Sequence, residues 1–174
     1  IQYLKLKADP LQLDEFSEIF DMLESGSRRI TRTIDSIVEM SEIKSGSYEI
    51  NFELINLEND VLQPVIKNYQ ETAIEKGIVL IFRKTTDENL ISKDKFMLYQ
   101  IFTEIIDNSI KFTDMGTVLI TQSMNSEGKL SVSVKDTGIG ISPEYLENIF
   151  EPFTQEQTGI SRKYEGNGLA LALV

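Results

Sequence analysis

Glu104, Asn108 and Lys111 lie four and three residues apart in the segment QIFTEIIDNSIKF, a spacing that puts all three on one face of a helix. A carboxylate, an amide oxygen and an ammonium on one face suit a metal–phosphate group: oxygen ligands hold Mg²⁺, and a lysine neutralises phosphate. A solvated face with an ordinary salt bridge has the same spacing. Leu98, Ile101, Phe102 and Ile105 form a neighbouring apolar face. A second candidate is Val134-Lys135-Asp136-Thr137-Gly138-Ile139-Gly140-Ile141, where a strand delivers a carboxylate to its end and two glycines follow. An ionised carboxylate only accepts hydrogen bonds, so Asp136 could read the amino group of adenine. Gly138 and Gly140 let backbone lie against a flat base. A tight turn after an edge strand is the alternative. The dinucleotide fingerprint does not fit, because its third glycine would fall at Pro143.

The third candidate, Gly166-Asn167-Gly168-Leu169-Ala170-Leu171, sets glycines before an apolar helical start. Free backbone N–H groups at a helix N-terminus make an anion site, and a plain helix cap has the same pattern. No Gly-Lys-Ser/Thr follows, so this is not a P-loop. Before it come Ile149-Phe150-Glu151-Pro152-Phe153 and a polar stretch, Thr154 to Glu165, that carries Arg162 and Lys163. Two aromatics around a proline could anchor a loop whose cations reach phosphates, in the manner of a lid. A surface loop with two accidental charges reads similarly.

These segments need elements to position them. Leu13, Phe16, Phe20, Leu23, Ser27, Ile30, Ile34, Ile37 and Ser41 step by alternating threes and fours, a heptad seam weakened by two serines. Asp14 and Glu15 suit the start of that helix, and Lys44 and Gly46 its end. One such helix cannot bury its own stripe, so a partner helix is expected. Ile1 to Lys7 reads as the tail of that partner, with Ala8-Asp9-Pro10 as the turn. A long helix lying on its own domain is the other reading. After Gly46 the period changes. Tyr48, Ile50, Phe52 and Leu54 alternate like a half-buried strand. Leu57 to Glu75 reads as a helix with Pro64 in its early turns, stopped by Gly77. Ile78 to Arg83 is a strand, and Asp94 caps a helix from Lys95 to about Phe112. Thr117 to Ser123 and Lys129 to Lys135 flank the turn Asn125-Ser126-Glu127-Gly128 as a hairpin. The expected fold class is α/β, a two-layer sandwich of a mixed sheet with helices on one face, preceded by the long helix. Residues 1–46 and 47–174 are the expected domains.

Composition removes several chemistries. The 174 residues hold 17 Lys+Arg against 28 Asp+Glu, a net charge of −11 that argues against bulk binding to nucleic-acid phosphates. There is no Cys and no His. Disulfides, thiolate catalysis and the Ser-His-Asp triad are thereby excluded within the chain, and no zinc site is in sight. No apolar run approaches the roughly 18 residues of a membrane span. No basic, apolar leader is visible.

The order and spacing of the motifs resemble the sensor histidine kinases of two-component systems. These share an ATPase superfamily with type II topoisomerase ATPase subunits, the ninety-kilodalton heat-shock chaperones and mismatch-repair ATPases. Glu104 to Thr113 resembles the asparagine box, Asp136 to Gly140 the first glycine box, Phe150 to Phe153 the phenylalanine box, and Gly166 to Leu171 the second glycine box. Asp14 to Gly46 resembles the second helix of the dimerisation and phosphotransfer hairpin. The resemblance implies ATP and Mg²⁺ as cofactors. Asn108 would ligate Mg²⁺, Lys111 would touch phosphate and Phe112 would line the adenine pocket. Asp136 would bind the adenine amino group between walls shaped by Gly138 and Gly140. Gly166 and Gly168 would close over the phosphates with Arg162 and Lys163. Glu104 stands where the hydrolysing relatives place a general base. The implied partners are a second copy of the chain and a response-regulator receiver domain, in the cytoplasm, with any membrane anchor in parts of the parent outside this sequence. The family's phosphoacceptor histidine would lie upstream of Ile1, and a further helix and strand beyond Val174, so the sheet is expected to be incomplete as given. Ala170 stands where the family usually has a third glycine. A nucleotide-binding pseudokinase module and an ATP hydrolase are the alternatives.

Overall fold

The computed structural model describes residues 13–156 and 168–172. The expected partner-helix tail at Ile1–Lys7 and its turn lie outside the described residues. The chain divides at Tyr48 into two compact units.

The first unit is dominated by helix α1, Leu13–Ser45, 33 residues long. At about 1.5 Å per residue it runs roughly 50 Å. Its end is closed by Gly46 in the left-handed region at φ 71°. Gly46 N–H donates to Ile43 O at 3.2 Å and Ser47 N–H to Glu42 O at 3.0 Å. This pair of bonds satisfies carbonyls that the helix itself leaves without donors, and only glycine takes that conformation without cost. Leu23, Ile30, Ile34 and Ile37, all from the expected seam, are exposed, as are Ile19, Met22 and Val38.

The second unit begins with strand β1, Glu53–Asn56, and a π-wound turn, Leu57–Leu62, that runs into helix α2, Gln63–Glu75. Strand β2, Ile78–Lys84, and strand β3, Leu90–Lys93, precede helix α3, Lys95–Lys111. Strands β4, Gly116–Met124, and β5, Leu130–Asp136, form the hairpin, and a single short helix, α4, spans Pro143–Leu146. The main sheet has the order β2-β4-β5, with β2 parallel and β5 antiparallel to β4. A small second sheet pairs β1 with β3 antiparallel.

Alternation along the main sheet decides which face is covered. Ile78, Val118, Ile120 and Gln122 are buried, and Leu80, Phe82, Leu130, Val132 and Val134 pack on the same core. Val61, Leu62, Val65 and Ile66 reach that core from the α2 region, and Phe102, Ile106 and Ile110 reach it from α3. Val79 and Ser133, on the other face, are exposed. The result is the expected mixed sheet with helices on one face.

Two expectations need correction. The strand read at Tyr48–Leu54 begins at Glu53, and its parity is reversed. Ile50, Phe52 and Leu54 are exposed while Ile55 and Leu57 are buried. The register is fixed by Ile55 pairing with Ile91 and by Leu57 N–H donating to Asn89 O at 2.7 Å. One residue of slip exchanges the faces of a strand. Strand β3 itself has no counterpart in the sequence reading. The helix from Leu57 is also wound in two ways. Pro64 has no N–H to offer the carbonyl four residues back, and its ring crowds that carbonyl. The wider winding stops just before it, where Gln63 N–H bonds to Glu58 O, five residues back.

The candidate nucleotide site

Helix α3 starts at Asp94, whose Oδ1 accepts Met97 N–H at 3.0 Å. Its Oδ2 accepts Asn51 N–H at 2.9 Å, so one carboxylate both caps the helix and ties down the approach to β1. The apolar positions Phe102, Ile106 and Ile110 recur every four residues and are buried. That fixes the rotation of the helix about its axis. Glu104, Asn108 and Lys111 then fall at half-buried positions. The expected apolar face is thus turned by about one residue: Phe102 is buried as read, Ile101 and Ile105 are half-buried, and Ile106 and Ile110 carry the core.

The last turn of α3 leads straight into the site. Phe112 N–H donates to Asn108 O at 2.9 Å, and the Lys111 ammonium lies 4.8 Å from the centre of the Phe112 ring. The carbonyls of Ile110 and Lys111 accept from Lys76 Nζ at 2.6 and 3.0 Å. Thr113 follows, fully buried, with a hydroxyl that meets no hydrogen-bond partner among the described residues.

Asp136 ends β5, exposed, and its Oδ1 accepts Gly138 N–H at 2.9 Å. The next residue, Ile139, donates its N–H to Phe112 O at 3.2 Å. A side chain at Gly138 would overlap the Phe112 carbonyl and come within 2.9 Å of Asp136 Oδ1. The absence of a Cβ at this position is therefore what lets the two motifs touch, backbone against backbone. Thr137 secures the same junction: its hydroxyl accepts Thr117 N–H at 3.0 Å and occupies the space that a Cβ on Gly116 would take. A Cβ on Gly140 would meet nothing within 4 Å among the described residues, and its need is conformational, at φ 73°.

The phenylalanine segment meets the second glycine segment. Phe153 N–H donates to Gly168 O at 2.8 Å, and a Cβ on Gly168 would lie 2.5 Å from Thr154 O. Leu169 is fully buried. The expected anchoring by the two phenylalanine rings is not what holds this turn, because Phe150 and Phe153 are both about two-thirds exposed, at 65% and 66%. Backbone bonds and the Thr154 hydroxyl hold it instead, the latter donating to Glu151 O at 2.6 Å. Ser142 N–H, just beyond the first glycine segment, is accepted by Glu156 Oε1 at 3.2 Å. Arg162, Lys163 and Gly166 lie outside the described residues.

Lys76 and Gly116 are site-supporting residues that sequence reasoning did not single out, and Thr113 and Thr137 support the site from within two of the motifs. The signal for Gly116 was local, a glycine at a strand start, whereas nothing local marks Lys76. Among the described residues there is no cluster of three or more Asp or Glu side chains arranged for a metal. No helix among the described residues is long and apolar enough to cross a membrane.

Comparison with known proteins defines the class first. Residues 93–174 match the family of histidine kinase-, DNA gyrase B-, and HSP90-like ATPases. Within that class, the chain is similar to the ATPase domains of sensor histidine kinases. A sensor-like histidine kinase of Rhizobium meliloti is 31% identical over 164 residues, covering 94% of this chain and 31% of that protein. The crystal structure of full-length ShkA in complex with AMPPNP superposes with a TM-score of 0.76 at 28% identity, covering 92% of this chain and 32% of ShkA. The fold also matches that of the histidine kinase ThkA in complex with the response regulator TrrA, with a TM-score of 0.61 at 24% identity over 87% of this chain and 43% of that one. The chain thus spans less than a third of the Rhizobium protein and of ShkA.

Proposed function

We propose that the chain is the nucleotide-binding catalytic core of a sensor histidine kinase, using ATP with Mg²⁺. The observation that carries this reading is the junction at Phe112, where one backbone carbonyl receives Ile139 N–H and abuts Gly138. It brings a face suited to metal and phosphate next to a loop suited to a purine. Asp136 would accept the adenine amino group beside Gly138 and Gly140, and Phe112 would line that pocket. Asn108 would hold Mg²⁺ by its amide oxygen, and Lys111 would meet phosphate, with Gly166, Gly168, Arg162 and Lys163 completing the phosphate side. A set with one amide and one carboxylate on the helix fits Mg²⁺, which keeps waters and takes further oxygens from phosphates rather than an all-protein cage. When bound, the ion would neutralise charge on the transferring phosphoryl group.

The chain's own residues hold and orient. Catalysis of phosphoryl transfer rests on positioning and charge neutralisation, which is what α3 and its junction provide. The γ-phosphoryl leaves the β,γ-bridging oxygen, ADP departs, and a phosphorus–nitrogen bond forms on an imidazole. With no histidine among the 174 residues, that imidazole would come from outside this sequence. A receiver aspartate would then take the phosphoryl group. The exposed seam of α1 supports dimerisation with a second copy, and an ATP-dependent reaction supports a cytoplasmic setting for this part of the parent.

Labelled ATP offered to the parent protein tests the reading. It predicts an acid-labile, base-stable phosphohistidine that Asn108→Asp abolishes. Label on serine, or no label at all, contradicts it. Release of phosphate to water without a labelled intermediate, stopped by Glu104→Ala, assigns hydrolysis instead.

A further inference from the structure

Helix α3 ends without the usual closure. Phe112 N–H closes on Asn108 O, whereas Ile110 O and Lys111 O lie beyond the helix's own donors, and no glycine follows in the left-handed region. Phe112 takes φ −90° and ψ 4°, and Thr113 comes next. The missing donor arrives from another element. Lys76 terminates α2 immediately before Gly77, which turns the chain at φ 69° into β2. From there its ammonium reaches Ile110 O at 2.6 Å and Lys111 O at 3.0 Å. One cation thus satisfies two carbonyls at the negative end of α3.

These two carbonyls precede the one that joins the motifs. Phe112 O, one residue on, receives Ile139 N–H and sets how close Gly138 approaches. We infer that Lys76 is a positioning residue for nucleotide binding: by clamping the last turn of α3 it fixes the separation between Asn108 and Lys111 on one side and Asp136 on the other. The inference rests on the nucleotide site proposed above and extends it to a residue 32 positions before Asn108.

The other end of the same helix supplies the control. Asp94 caps the N-terminus of α3, about 20 Å from Asn108 at 1.5 Å per residue. Asp94→Ala and Lys76→Met both remove helix-end hydrogen bonds, yet only the second lies at the junction. The complete parent protein and both variants would be titrated with a non-hydrolysable ATP analogue and Mg²⁺, with urea midpoints measured alongside. Lys76→Met is expected to weaken the analogue about tenfold, the scale of a charge-assisted hydrogen bond. Asp94→Ala is expected to lower the urea midpoint while leaving affinity within about twofold, a difference of under half a kcal/mol. Lys76→Gln, too short to span both carbonyls, is expected to follow Lys76→Met and serves if the methionine variant does not fold. Equal affinity in wild type and Lys76 variants, or equal weakening by Lys76→Met and Asp94→Ala, would overturn the inference. A wild-type parent that binds no nucleotide would instead overturn the site itself.

Discussion

Helix α1 carries Ile30 and Ile34 at 61% and 55% exposure, whereas α3 carries Ile106 and Ile110 at 0% and 2%. Residue type and spacing are the same in both pairs, and the surroundings are opposite. In α3 the stripe is covered by α2 and by the main sheet of its own unit. That coverage fixes the roll of the helix, so Asn108 and Lys111 are held at the junction with Phe112. In α1 the same spacing makes a face that stays open among the described residues. Apolar area left in water is worth roughly 25 cal/mol per Å² when covered, so the open face of α1 retains that energy, whereas α3 has already used its own in folding. Spacing specifies a face; only the rest of the molecule decides what lies against it.

The largest effect expected from this contrast is on stability. Ile106→Ala should cost about 2–5 kcal/mol in urea unfolding, the range for a truncated core isoleucine. Ile34→Ala should change the unfolding of the monomer by no more than about 0.5 kcal/mol. Similar costs at both sites would erase the comparison. At the junction that α3 holds in place, Gly138→Ala would push a methyl into the Phe112 carbonyl. Nucleotide affinity should fall about a hundredfold, measured by calorimetry on protein with an unchanged circular dichroism spectrum. For α1, Ile34→Glu should halve the mass seen by light scattering in the parent, because a carboxylate in an apolar bundle is costly to desolvate. An unchanged mass would remove α1 as a dimer seam.

The smallest effect concerns an ion pair between β2 and the π-wound turn. Lys84 Nζ lies 2.9 Å from Glu58 Oε2, and that hydrogen bond raises the lysine pKa above its ordinary value, with desolvation pulling the other way. A raised lysine pKa stabilises the fold below the unfolded-state value, and the contribution is lost as pH rises through the folded-state value. Glu58→Gln should therefore lower the urea midpoint slightly at neutral pH, and the gap to wild type should close in strongly alkaline solution. A gap that persists there would assign the effect to packing.

Much of the second unit was legible because its signals are local. Asp94 before an amphipathic run gave the start of α3, Gly77 the end of α2, and Asn125 to Gly128 the hairpin between β4 and β5. The motifs on α3 and after β5 could be read as two separate chemistries. Their meeting could not, because it depends on Phe112 O and Ile139 N–H, 27 residues apart. Lys76 was invisible for the same reason, since its partners are 34 and 35 residues away. The parity of β1 was misread because apolar residues occupy both registers, with Phe52 and Leu54 in one and Ile55 and Leu57 in the other. Only the pairing with β3 selects between them. Strand β3 offers a single inward apolar residue, Ile91, too little for a period to show.

The central claim is that the end of α3 and the loop after β5 form one adenine nucleotide site, and Asp136 tests it most directly. Its carboxylate is exposed and accepts Gly138 N–H through one oxygen. Asp136→Asn keeps the size and replaces an acceptor with a donor, leaving the stacking surfaces alone. Titration of the complete domain with a non-hydrolysable ATP analogue and Mg²⁺ should show a single site in the wild type. The same titration of the variant should be weaker by roughly 1–3 kcal/mol, about five- to 150-fold. Equal affinity in the two proteins would contradict the account.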